Sequence, residues 1–168
     1  MIHFMRAWAA AAVLGCAAAA APAAPALKIA GAPNGRAFVA LSDLEKLPRL
    51  KVEATDHDGR KARFEGWALG DVLALAGVPR GRQLRGPALA TFVTASAGDG
   101  YWVVFALSEL DPSITDKVVL LADRRDGAPL PASEGPLRVV VPAEKRPARW
   151  IRQVVAFAIG NPPEEKAP

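Results

Sequence analysis

The chain has 168 residues, 51% hydrophobic and 23% charged, with a net charge of +4 at pH 7 and one cysteine. That length suits one domain, and so balanced a charge argues against a nucleic-acid partner, which calls for a dense basic surface. With Cys16 alone, no disulfide can form within the chain.

Residues 1–26 have the layout of an export signal. Arg6 precedes an Ala-rich apolar stretch from Ala7 to Ala21, and small residues crowd Ala24-Pro25-Ala26. Charged n-region, short h-region and A-x-A-like cut follow in the usual order. The apolar run falls short of the ~20 residues that cross a bilayer, and alanine contributes little hydrophobic drive. "VLGC", ending at Cys16, also reads as a lipobox. Two outcomes stay open: a plain signal, giving a periplasmic or secreted chain without cysteine, or a lipid anchor on Cys16. Only the second would make a membrane a partner.

Residues 27–160 read as a single domain. "LKIAG" and "RAFVALS" are short strand candidates separated by "APNG", whose Asn-Gly pair signals a turn. "SDLEKLP" predicts one short helix, with Ser42 as N-cap, Glu45 as its capping-box partner and Pro48 as its end. "RLKVEATD" alternates as a half-buried strand does, and "HDGRK" turns it back into "ARFEGWAL". "ALGDVLALAGV" is the clearest helix: Val72, Leu73, Leu75 and Ala76 share an apolar face, Gly77 suits the C-terminal cap and Pro79 blocks continuation. "RGRQLRGPALA" is a basic loop. "TFVTASA" and "YWVVFAL" form a hairpin through Gly98-Asp99-Gly100, because Asp-Gly tolerates the positive φ of a tight turn. "SELDPSITD" adds a helical turn, and "KVVLLAD", "LRVVVP" and "ARWIRQVVAFAI" complete the strands. The tail 161–168, "NPPEEKAP", is polar and proline-rich and is expected to fray. Roughly eight or nine strands and two or three short helices, without regular alternation, predict a mixed, mostly antiparallel α+β fold.

The chemistry carried by spacing is thin. Asp56-His57-Asp58 invites a metal, yet adjacent residues of a strand point to opposite faces, and a polar turn before Gly59 is the simpler assignment. No metal site is therefore expected. The basic clusters Arg80/Arg82/Arg85 and Lys145/Arg146/Arg149/Arg152 are either solvated faces or an anion site. Trp67, Trp102 and Trp150 each sit in an apolar run and are expected as core anchors. "GVPRGRQLRG" lacks the spacing of a phosphate loop.

Four segments in order make a larger pattern: "GWALGDVLALAGVP", "VTASAGDGYWVVFAL", "VVLLADRRDGAPLPASEGPLRVVVP" and "ARWIRQVVAF". They carry a helix of the form L-x-D-x-L-x-x-A-G (Leu69, Asp71, Leu73, Ala76, Gly77), a strand pair around Asp99-Gly100-Tyr101, and a turn at Gly127 leading to Pro129-Leu130-Pro131. A strand from Gly135-Pro136-Leu137-Arg138 to Pro142 and a closing Arg149-Trp150 follow. From Phe64 to Ile159 this resembles the sulfite-oxidase-type molybdopterin-binding domain. The resemblance implies that fold, with two or three short helices. It also implies a molybdopterin or molybdenum cofactor and candidate cofactor contacts at Thr55, His57, Asp99, Tyr101, Arg138, Lys145, Arg146, Arg149 and Trp150. Lys145, Arg146 and Arg149 would face the pterin phosphate, since charge-assisted hydrogen bonds suit it. Arg138, in an apolar strand, is expected to meet either a buried acceptor or an anion. Catalytic members of the family give molybdenum a cysteine thiolate from near the domain start; here that segment reads Thr55-Asp56-His57, and no cysteine follows Cys16. A hydroxyl or carboxylate is a quite different ligand from a thiolate.

Three functions remain in play. The chain is a non-enzymatic or accessory exported domain binding a small molecule, a pterin or a periplasmic protein. Alternatively it is a molybdenum-dependent oxidoreductase without the thiolate, or an interaction module that uses strand edges and the Arg80–Arg85 loop.

Overall fold

The computed structural model describes residues 26–162. Residues 1–25 of the expected signal, Cys16 among them, and residues 163–168 of the expected tail lie outside the described residues.

Alternating apolar residues build the sheets. In chain order come β1 (Ala26–Ala30), β2 (Phe38–Ala40), helix α1 (Leu41–Leu44), β3 (Leu50–Thr55), β4 (Lys61–Ala68) and helix α2 (Leu69–Ala74). Then follow β5 (Phe92–Ala97), β6 (Trp102–Ala106), β7 (Leu120–Arg125), β8 (Ala128–Pro129), β9 (Arg138–Val140) and β10 (Val154–Gly160), with 3-10 turns between some of them. The first sheet has five strands in the order β2-β1-β10-β5-β6, and the second runs β3-β4-β7-β8 with β9 also paired to β7. β1 and β10 are parallel, while the other pairs are antiparallel. This is the mixed, mostly antiparallel α+β architecture expected, with two short helices.

The inward positions of both sheets join α2 in one core. Leu27, Ile29, Val93, Phe105 and Phe157 come from the first sheet, Phe64, Leu120, Leu121 and Val139 from the second, and Leu69, Val72 and Leu73 from α2. Close approach is built in at Gly66. A Cβ there would lie 2.0 Å from the carbonyl oxygen of Leu121, so only glycine permits the irregular β4–β7 pairing at this point.

Local details differ from the sequence reading in instructive ways. Helix α1 starts two residues earlier, with Ala40 instead of Ser42 as N-cap and no side-chain cap, so Ser42 lies inside the helix. Leu44, fully buried, anchors this one turn instead. The tight Asp-Gly turn appears at Asp126-Gly127, where both residues have positive φ (52° and 82°) and Arg125 pairs with Ala128. At the other Asp-Gly, Ala97 N–H bonds Tyr101 O, so the loop spans Gly98–Gly100 and only Gly100 is left-handed (87°). The expected strand "ARWIRQVVAFAI" pairs only from Val154. Its first half is a 3-10 turn (Pro147–Arg149) followed by irregular backbone, with Gln153 at φ 48°.

The tryptophans divide. Trp67 and Trp150 are buried as expected, but Trp102 is 62% exposed and stands on the outward face of β6. In "YWVVFAL" both alternating sets are apolar, so alternation could not choose the inward one. Val103, Phe105 and Leu107 take the core.

Candidate functional site

β9 begins with an arginine among valines, and the structure supplies its partners. Arg138 is fully buried. Its guanidinium donates to both oxygens of Asp56, at 2.5 and 3.1 Å, and to Glu134 Oε2 at 2.6 Å. Arg125, from the end of β7, reaches Asp56 Oδ2 at 2.8 Å and Glu134 Oε1 at 3.5 Å. Two cations thus face two carboxylates, and the charge closes on itself. Phe64 and Trp150 wall the cluster, with the Arg138 guanidinium 5.2 and 5.6 Å from their ring centres. Burial alone would raise the pKa of Asp56. The hydrogen bonds from Arg138 and the His57 N–H, with the charges of Arg138 and Arg125, outweigh it and pull the pKa down to about 2. Arg138 therefore meets a buried acceptor, not an open anion site. The proline-bounded segment before it brings Glu134, four residues upstream, to the Arg138 guanidinium.

Arg149 is similarly engaged. It donates to Glu109 at 2.9 and 3.2 Å, to Glu144 at 2.6 Å and to the Val104 carbonyl at 3.0 Å, and it lies 4.6 Å from the Phe105 ring centre. Hydrogen bonding to Glu109 raises its pKa. Burial would raise the pKa of Glu109 in turn, but Arg149 holds it low.

Beside the buried cluster opens a cleft of about 570 Å³, lined by residues that include His57, Asp99, Tyr101, Trp150, Arg152 and Gln153. Each wall has a local cause. His57 occupies the turn after β3, where Gly59 takes φ 78° and the Asp56 carboxylate accepts the His57 N–H at 2.7 Å. Asp99 accepts the Tyr101 N–H at 2.9 Å, and Tyr101 Oη donates to the Ala148 carbonyl at 2.9 Å. Trp150 Nε1 donates to the Val141 carbonyl, and its ring meets Phe64 and His57 edge-on. Gln153, left-handed, is clamped by three bonds: its N–H to Glu134 O (2.8 Å), its carbonyl to Gly98 N–H (3.1 Å) and its Nε2 to Ala132 O (2.8 Å). That clamp holds the lip from which exposed Arg152 extends, with no ion-pair partner among the described residues. Burial lowers the His57 pKa, and the charges of Arg152 and Arg138 lower it further, so the imidazole is neutral at pH 7.

The cleft gathers four of the expected contacts, His57, Asp99, Tyr101 and Trp150. It does not gather the others. Thr55, exposed at the end of β3, borders a separate hollow of about 220 Å³ with Pro142. Lys145 and Arg146 are exposed on the loop after β9, and Arg138 and Arg149 sit in their ion clusters. Arg152 is the cleft cation: the sequence reading named it in a basic cluster that was either a solvated face or an anion site, but not among the cofactor contacts. Of that cluster only Arg149 has carboxylate partners among the described residues and only Arg152 lines the cleft, and no local pattern carries either fact. A larger apolar groove of about 700 Å³, lined by Pro33, Pro79 and Ile159 among others, contains no ionisable side chain.

A family model described as the oxidoreductase molybdopterin binding domain matches residues 32–161. The chain belongs to that family. Among solved structures, the sulfane dehydrogenase SoxCD from Paracoccus pantotrophus superposes over 80% of this chain, with a TM-score of 0.61 and 19% identity. The likeness is one of fold, and the chain spans 37% of the length of that one. No curated protein matches it.

For this molybdopterin-binding domain the test is its donor set. In the segment that the sequence reading expected to carry a thiolate, Thr55 is exposed, Asp56 is held by two arginines and His57 is in a turn. No cysteine and no metal-holding group of three His, Cys, Asp or Glu lies among the described residues. These residues do not fit a thiolate-ligated molybdenum. The cleft sets the Arg152 guanidinium beside the Asp99 carboxylate and the exposed Tyr101 ring, a polar site of a size to hold a small anion or a planar ring.

Proposed function

We propose that this chain is an exported member of the family that retains the scaffold and binds a small planar anion, without thiolate-ligated molybdenum chemistry. The observation that carries this is the state of Asp56: within the segment expected to carry the thiolate, the one buried carboxylate is closed into an ion cluster. It is thereby unable to serve as a ligand without exposing two arginines. Beside it, Arg152 supplies charge, neutral His57 supplies a donor or an acceptor, and exposed Tyr101 supplies ring surface. Export rests on the charge and hydropathy layout of residues 1–26.

The test is a titration with pterin-6-carboxylate and, separately, inorganic sulfate, followed by tryptophan fluorescence. Saturable quenching by the pterin, abolished by excess sulfate and by Arg152→Ala, is expected. Absence of quenching, or quenching indifferent to Arg152, would overturn the assignment of the cleft.

A further inference from the structure

Besides Arg152, one more side chain of the cleft can become cationic near neutral pH. His57 lines the cleft from an exposed turn. Its backbone N–H is bonded to Asp56, but among the described residues no group bonds its imidazole nitrogens. The ring stands nearly perpendicular to that of buried Trp150, 6.4 Å away between centres, so packing fixes one flank of the imidazole.

The charged groups around this ring fall into two sets. Asp56 beside it, Glu134 just before β9, Arg138 on β9 and Arg125 at the end of β7 are spent on one another, and Arg125 also reaches Asp58 at 3.8 Å. Arg152 on the lip and Asp99 on the β5–β6 loop line the cleft instead. Asp99 is partly engaged by the Tyr101 N–H, and the Tyr101 hydroxyl by the Ala148 carbonyl. Burial is the largest cause that lowers the His57 pKa and the charge of Arg152 the next, ahead of Arg138, Asp56 and Glu134. Imidazole and guanidinium are therefore neighbours in the cleft.

We propose that His57 makes anion capture in this cleft proton-linked: with a neutral imidazole Arg152 holds the anion alone, and an imidazolium adds a second charged N–H donor to the same ligand. This rests on the assignment of the cleft to an anion. In the empty cleft the two cations repel each other, which disfavours the proton on His57. An anion between them removes that repulsion and pairs with both. By linkage, the anion raises the proton affinity of His57 by the same factor by which the proton raises affinity for the anion. Because the pKa of the free site lies below 6.5, affinity is lowest above neutrality and climbs as the pH falls into the mildly acidic range. Asp56, with its pKa at about 2, keeps its charge throughout and holds the turn that carries His57. The cleft thereby takes up anions in mildly acidic surroundings and releases them in alkaline ones.

Inorganic sulfate is the probe, because its charge is constant between pH 8 and pH 5. Its Kd is measured by calorimetry at both pH values on the wild-type chain, His57→Gln and Arg152→Ala. The histidine ring protons are titrated by NMR with and without sulfate. In the wild type the Kd should fall ~10-fold from pH 8 to pH 5, and in His57→Gln it should stay at the pH 8 value. Arg152→Ala should lose binding at both. Saturating sulfate should raise the proton affinity of His57, identified by the resonance missing from His57→Gln, by the same ~10-fold. Sulfate bound through Arg152 with equal affinity at both pH values, or a slope that survives in His57→Gln, overturns the proton linkage and leaves the anion assignment standing. No sulfate bound at either pH overturns both. Should His57→Gln fail to fold, the wild-type NMR titration decides, and histidine resonances indifferent to sulfate contradict the proposal.

Discussion

Arg138 and Arg152 both neighbour Trp150, and their surroundings are opposite. Arg138 has no exposed surface and two carboxylate partners, Asp56 and Glu134; Arg152 is exposed at a cleft with no ion-pair partner among the described residues. The difference separates two uses of the same side chain. A cation inside a closed cluster sets the fold, because its removal strands buried carboxylates. A cation left open at a pocket contributes little to folding and remains available to a ligand. In a family known by its cofactor, that division shows which arginines to associate with binding.

The comparison breaks most visibly at Arg138. Arg138→Met leaves Asp56 and Glu134 buried against Arg125 alone, and a loss of about 3–5 kcal/mol in urea denaturation is expected. Acid is the next lever. Asp56 has its pKa depressed from 3.8 to about 2, so its stabilisation is complete above the unfolded pKa and is lost as pH falls through the folded one. Unfolding followed between pH 5 and 2 should show about 2 kcal/mol disappearing in that window. The same slope should be nearly absent in Arg138→Met.

Arg149→Ala should cost less, about 2 kcal/mol by thermal denaturation, since its hydrogen bonds to Glu109 and Glu144 are charged but only half buried. Arg152→Ala sharpens the contrast from the other side. Stability should move by no more than ~0.5 kcal/mol. Affinity for pterin-6-carboxylate, measured by fluorescence titration, should nonetheless fall ~10-fold or more.

Much of this was legible in the residues. Alternation placed β3 and β4, the L-x-D-x-L-x-x-A-G pattern placed α2, and an arginine among valines marked Arg138 as needing a buried partner or an anion. What one sequence could not supply was long-range pairing. Asp56 and Arg138 lie 82 residues apart, and nothing local joins them. Nor could the basic cluster reveal that Arg149 is neutralised by Glu109, 40 residues upstream, while Arg152 is left open. The exposure of Trp102 was hidden for a different reason: β6 is apolar in both phases, so the inward phase is decided by packing against β5. Ser42 was misread because a one-turn helix is positioned by the burial of Leu44, which overrides the capping preference.

The most direct measurement is molybdenum and pterin content per chain, by elemental analysis and pterin fluorescence, in folded protein purified from molybdenum-replete cells. Folded protein with only background molybdenum, still able to bind pterin-6-carboxylate through Arg152, is the result expected. Stoichiometric molybdenum in protein whose Asp56–Arg138 cluster is intact would contradict it. The metal would then be held without the cysteine, and the cleft at Arg152 would have to be reassigned to a working redox centre.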